Sequence, residues 1–182
     1  MAKLDVLAPF ILSWEGGYVN DPHDPGGATN KGVTLNTWKH HGYDKNNDGK
    51  IDKEDIKLIN ENDAVYKILK PLFWDKCKAD QIKDQSVANI IVDWVWGSGF
   101  SAMKKIQGIL GVKQDAVVGP KTIEAINNKN PEELFNAIWS ARENYLRSLK
   151  NFNRYGKGWM NRLNSIGYGW LKYNDNKKES FC

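Results

Sequence analysis

Cysteine and long apolar runs are both scarce in this chain, and each shortage excludes something. Only two of the 182 residues are cysteines, Cys77 and Cys182. Their separation matches no zinc-ligand spacing, and a C-terminal residue is a poor anchor for a structural bridge. Both read as free thiols of a chain made in a reducing compartment. No stretch is apolar for long enough to span a bilayer, which argues against stable membrane insertion. The opening "MAKLDVLAPFILSWEGG" has one lysine, and its apolar run is broken by Asp5 and Pro9. No small-residue cleavage site follows, so it does not read as a signal peptide. Synthesis in the cytoplasm is expected, and a target outside it would need a separate delivery route. Internal repeats are missing, and no convincing strand appears beyond the opening loop.

What is present is a globular composition, with 41% hydrophobic and 26% charged residues. The length suits one ordinary domain or two small lobes. The formal charge of +4 favours an anionic partner such as a bacterial wall, nucleic acid or an acidic membrane, although a solvated surface gives the same number. Eight tryptophans and seven tyrosines exceed the needs of a core this size. Most serve the core, and the remainder can line a groove for sugar rings.

Apolar periodicity predicts a mainly α fold of eight or nine helices. Leu4, Leu7, Ile11 and Trp14 mark the first, with Gly16 and Gly17 as a left-handed stop. Thr34 caps a short helix over 34–41. The run 59–74 is helical and is expected to end at Pro71. Residues 86–96, "SVANIIVDWVW", form the most buried helix, with Ser86 as its cap. Gly97, Ser98 and Gly99 follow it and mark a boundary between segments 1–97 and 98–182, two parts that can still pack as one compact unit. Helices over 102–112, 119–128 and 130–150 come next, the last capped by Asn130 with Pro131 at its first position. A final short helix is expected after Gly158.

"WEGGYVNDPHDPGGATNKGVT", residues 14–34, carries the densest chemistry. Glu15 falls at the predicted end of the first helix, beside Trp14. The negative helix terminus and desolvation by Trp14 both favour a protonated carboxyl, as a general acid requires. Asp21 and Asp24 sit in a Pro-punctuated loop and are expected to ionise normally. One protonated and one ionised carboxyl can cleave a glycosidic bond, and side-chain-poor glycines let an extended polymer approach. A surface glutamate before a flexible loop fits the same spacing.

This stretch resembles, nearly word for word, the signature of the family 108 glycoside hydrolases, which are bacterial and phage N-acetylmuramidases. The resemblance implies a lysozyme-like helical fold with a small irregular loop and β region after the first helix. It also implies that Glu15 is the catalytic acid. A looser similarity to phage-type lysozymes places an Asp nine residues after the glutamate and then a Thr that holds water. Asp24 and Thr29 fill those places, with Asp21 as the other choice of carboxylate, and the pattern implies inversion. Tyr18 and Asn20 are candidates for sugar contact. In "DWVWGSG", Trp96 stands where related chains often have asparagine, so it is either a stacking platform or a core residue.

"DKNNDGKIDKED", residues 44–55, fits the EF-hand template. Asp44, Asn46 and Asp48 occupy positions 1, 3 and 5, Gly49 the turn, Lys50 the carbonyl position, Asp52 position 9 and Asp55 position 12. Asp in place of the usual Glu weakens or tightens the loop. A structural calcium is expected, with no cofactor for catalysis; a polar turn capping the next helix is the plainer alternative.

Finally, "KKIQGILGVKQDAVVGPKTIEAI", residues 104–126, resembles a helical peptidoglycan-binding repeat. The usual D-G is here Asp115-Ala116, which is strained if the turn needs a positive φ. "GKGWMNRL", residues 156–163, resembles the end of family 108 chains. The expectation is a peptidoglycan hydrolase that cuts the β-1,4 bond between N-acetylmuramic acid and N-acetylglucosamine. A lytic transglycosylase and a non-catalytic wall-binding module are the rivals. The expected partner is peptidoglycan rather than nucleic acid, with delivery by a holin, as for an endolysin, or by a secretion system.

Overall fold

A computed structural model describes residues 1–20 and 27–174. Asp21, Asp24 and Cys182 lie outside the described residues. The fold is mainly helical and lysozyme-like in class. Helix α1 (Leu4–Trp14) precedes an antiparallel hairpin of β1 (Thr29–Asn30) and β2 (Val33–Thr34). Then come α2 (Leu35–His41), α3 (Lys53–Leu58) and α4 (Glu61–Asp63), which runs on as a π-helix over Ala64–Trp74. A 3₁₀ turn (Ala79–Gln81) leads to α5 (Gln85–Ser98), α6 (Ser101–Leu110), α7 (Pro120–Asn128), α8 (Pro131–Arg147) and α9 (Phe152–Leu163). A second hairpin, β3 (Ile166–Gly167) with β4 (Trp170–Leu171), follows.

Four local expectations are corrected. The helix of 59–74 does not end at Pro71 but passes through it in π geometry. The wider turn leaves room for the pyrrolidine ring, which an α-helix would drive into a carbonyl. Helix α5 is capped by Asp84, which accepts the Val87 N–H at 2.9 Å, and Ser86 instead accepts the Gly169 N–H at 2.9 Å. That bond, with Tyr168 donating to Asp84 at 3.1 Å, holds the β3–β4 hairpin, a strand pair absent from the periodicity. Helix α9 begins before Gly158 and includes both of its glycines.

Two compact units are formed. One comprises Met1–Leu7 and Phe73–Tyr173; the other comprises Ala8–Leu72, with Asn174 among the described residues. In the first, α5 is the centre: every residue from Val87 to Val95 is buried. Such a helix must be apolar nearly all round. Asn89 and Asp93 are its polar exceptions, and Asp93 is the charged one. One of its oxygens accepts from Arg142 of α8 and the other from Arg162 of α9, both at 2.7 Å, so one carboxylate ties three helices. Burial pushes its pKa up, but Arg162 and Arg142 outweigh burial and hold it below the ordinary 3.8. Cys77 is buried in the same unit, and desolvation pushes its thiol up to about 12.

The second unit packs Phe10, Ile11, Val33, Trp38, Ile56, Ile68 and Leu69 together as fully buried side chains. Trp38 lies so close over Gly42 that a Cβ there would stand 2.1 Å from the indole. Its ring N–H donates to the Tyr43 carbonyl at 3.0 Å.

The turn before α7 is strained, as its missing glycine implies. Ala116 has φ +66°. Buried Gln107 accepts its N–H at 2.8 Å and donates to Asp115 and the Val117 carbonyl, both at 3.1 Å. Ala116→Gly should therefore raise stability by about 1 kcal/mol, read from the urea midpoint, because the left-handed penalty disappears.

Asp93→Asn should cost about 3–5 kcal/mol, since buried Arg142 and half-buried Arg162 lose their counter-charge. A depressed folded-state pKa contributes stability above the unfolded value and loses it as pH falls through the folded one. Urea midpoints of the wild type should drop as pH falls below 3.8, and the variant should lack that part of the acid drop.

Candidate active site

Glu15 follows directly on α1, half-buried, and its N–H donates to the Leu12 carbonyl at 3.2 Å. That short bond closes the last helical turn. The Gly16 carbonyl then accepts the Lys31 N–H at 3.0 Å. Val19 and Thr29 exchange both backbone bonds at 2.8 Å. The chain leaving Glu15 is thus laid antiparallel along β1. The turn of that hairpin, Lys31-Gly32, has both φ angles positive, at 50° and 77°. This is the mirror-image turn whose twist suits a two-residue connection.

Gly16 and Gly17 do not adopt the left-handed conformation expected of them, since neither has a positive φ. A Cβ on either would meet nothing within 4 Å. Neither backbone geometry nor packing calls for glycine there. The effect of the pair is open space immediately beside Glu15.

Thr29 is half-buried, and its hydroxyl donates to the Gly27 carbonyl at 3.3 Å. Tyr18 is half-buried with the Lys57 ammonium 5.5 Å from its ring centroid, and Asn20 is exposed. Trp14 is tilted against Phe10 at 6.3 Å between centroids. Trp96 belongs to the first unit, at the C-terminal end of α5. It is half-buried and meets the edge of Phe73 at 4.8 Å.

Asn30 was not anticipated. It is buried next to Thr29, and its amide donates to the Ile56 carbonyl at 2.9 Å. It thereby fixes β1 to the end of α3. In the sequence it reads as an ordinary turn residue before Lys-Gly. Its partner lies 26 residues on, beyond the reach of local patterns.

The loop 44–55 is organised by its own amides. Asp44 accepts from Asp48 and Gly49 at 3.3 and 2.7 Å, Asn46 from Asp48 at 3.1 Å, and Asp48 from Lys50 at 3.0 Å. Asp52 caps α3 by accepting from Glu54 at 2.8 Å. Asp55 is fully buried and accepts three N–H groups, from Lys45 at 2.6 Å, Asn46 at 3.3 Å and Asp52 at 2.8 Å. Burial raises its pKa, but these amides overcome that and lower it. Lys45 reaches out of the loop to Asp63 at 2.5 Å. Among the described residues, no group of three or more His, Cys, Asp or Glu side chains is arranged to hold a metal ion.

No described helix is long and apolar enough to cross a membrane. The family profile described as Glycosyl hydrolase 108 matches residues 8–99, and one described as Predicted Peptidoglycan domain matches residues 101–164. A solved structure, that of Brucella abortus SagA, is 32% identical with a TM-score of 0.73 over 90% of each chain. No curated protein matches the chain.

Proposed function

Because the chain belongs to glycosyl hydrolase family 108, and is a glycoside hydrolase acting on the peptidoglycan of the cell wall, we propose that it is an N-acetylmuramidase with Glu15 as its acid. The bond cut is the β-1,4 link between N-acetylmuramic acid and N-acetylglucosamine. The observation that supports this most is the open flank of Glu15, where Gly16 and Gly17 serve neither turn nor packing. A half-buried carboxyl with side-chain-free backbone beside it suits a sugar polymer lying against the acid.

In this reading Glu15 protonates the leaving oxygen as the bond to the anomeric carbon breaks. The resulting oxocarbenium-like centre takes a water from the opposite face. Asp24, or Asp21, is the carboxylate that takes the proton of that water, and the Thr29 hydroxyl orients it. The outcome is inversion, which requires roughly 6.5–9.5 Å between the carboxyls. Tyr18 and Asn20 are the proposed sugar contacts beside Glu15.

Calcium is proposed as a structural ligand of the loop 44–55. The support is chemical: Asp44, Asn46, Asp48, the Lys50 carbonyl, Asp52 and Asp55 offer hard oxygen donors only. The cation would stiffen the loop and take no part in bond cleavage.

Glu15→Gln should lose about 10²- to 10⁴-fold of peptidoglycan hydrolysis while keeping its melting temperature. Mass spectrometry of the wild-type products should show fragments that have gained water. Anhydro products would replace the muramidase with a transglycosylase, and full activity in the variant would remove Glu15 from the mechanism. For the loop, millimolar calcium should raise the melting temperature of wild type and leave Asp44→Ala unmoved. An unchanged wild-type melt would dismiss the cation.

A further inference from the structure

Helix α9 carries an aromatic and cationic surface in the first unit. Phe152, Tyr155 and Trp159 lie three, four and seven residues apart, so they share one face. The Trp159 ring lies 5.9 Å from Tyr155 and 6.5 Å from Phe152 between centroids. Arg147 sits over Phe152 at 5.5 Å and Arg154 over Tyr155 at 5.1 Å. Tyr155 remains 45% exposed, and Arg147, Arg154 and Lys157 are exposed.

Two glycines in this helix separate packing from something else. Gly156 has a packing reason, since a Cβ there would collide with the Phe152 ring at 2.6 Å. Gly158 has none: a Cβ would meet nothing within 4 Å, and its φ is not positive. Glycine in an exposed helix interior is unfavourable relative to alanine, so its presence needs a cause. A helical side chain covers the turn that precedes it. Position 158 is three residues after Tyr155 and four after Arg154. A side chain longer than alanine there would reach over that pair, and glycine leaves the pair open.

We infer that Arg154, Tyr155 and Trp159, with the gap at Gly158, form a binding surface of the first unit for glycan strands of peptidoglycan. This rests on the peptidoglycan reading above. A pyranose ring has an apolar face that stacks on an aromatic ring. The carboxylates of the lactyl-linked stem peptides supply the negative charge that Arg154 complements. An extended, flat polymer needs unobstructed backbone where it crosses a helix, and Gly158 supplies that.

The test uses the full chain with three variants: Tyr155→Ala, Arg154→Ala and Gly158→Gln. Co-sedimentation with purified sacculi should weaken by roughly tenfold for each. Turnover of intact sacculi should slow, while turnover of short soluble glycan fragments stays at the wild-type rate. Gly158→Gln is the decisive case, because it removes a helix-destabilising glycine and should raise the melting temperature while weakening binding. Unchanged sedimentation in all three variants overturns the surface and leaves the hydrolase reading standing. A wild type that fails to cleave any glycan, with sedimentation still sensitive to the variants, upholds the surface and overturns the muramidase. Wild-type binding to phosphatidylglycerol vesicles but not to sacculi would assign this face to lipid and overturn the proposal.

Discussion

The first unit depends on one charge that cannot leave. Asp93 is buried at the centre of its most buried helix, and its two oxygens are shared between Arg142 and Arg162. Apolar residues in place of all three side chains would fill the same space, but they would not decide how α8 and α9 are aligned. A carboxylate offers two fixed directions, and two guanidinium groups must meet them. The Arg142 Nε is buried without a partner, so the cluster holds its alignment at some cost in desolvation. Specific alignment in exchange for modest net stability is what buried ion clusters supply.

The second unit solves a different problem, that of holding irregular backbone still. It has little regular structure between α1 and α3, and amides are satisfied by side chains instead. Asp55 accepts three of them and Asn30 closes the end of α3. The segment that follows Glu15 is fixed by backbone bonds to Lys31 and Thr29. Rigid placement of the Glu15 carboxyl next to open backbone requires this arrangement, because the open side can contribute no packing.

Much of this was legible in the residues. The caps Thr34 and Asn130 and the buried stripe of α5 follow from local chemistry and appear as expected. The strain at Ala116 was readable because a glycine was missing from a known turn. What escaped was non-local or irregular. The partners of Asn30 and Asp93 lie far along the chain, and no period announces them. The π-helix through Pro71 breaks a rule that holds for α-helices only. The β3–β4 hairpin is too short to alternate visibly. Its shape comes from Trp170 lying on Gly167, where a Cβ would stand 1.9 Å from the indole. The family matches and the packing units also divide the chain differently. Residues 73–99 match the hydrolase family yet pack with the residues of the peptidoglycan match.

Cys77 bears on where such a protein can work. A thiol reacts as its thiolate, and with a pKa of about 12 only on the order of one molecule in 10⁵ carries that thiolate at neutral pH. Shielded from solvent as well, the sulfur behaves as a hydrocarbon filler of the core. A wall-degrading enzyme meets oxidants once outside the reducing cytoplasm, and this sulfur would meet them unreactive, with no need of a bridge to protect it.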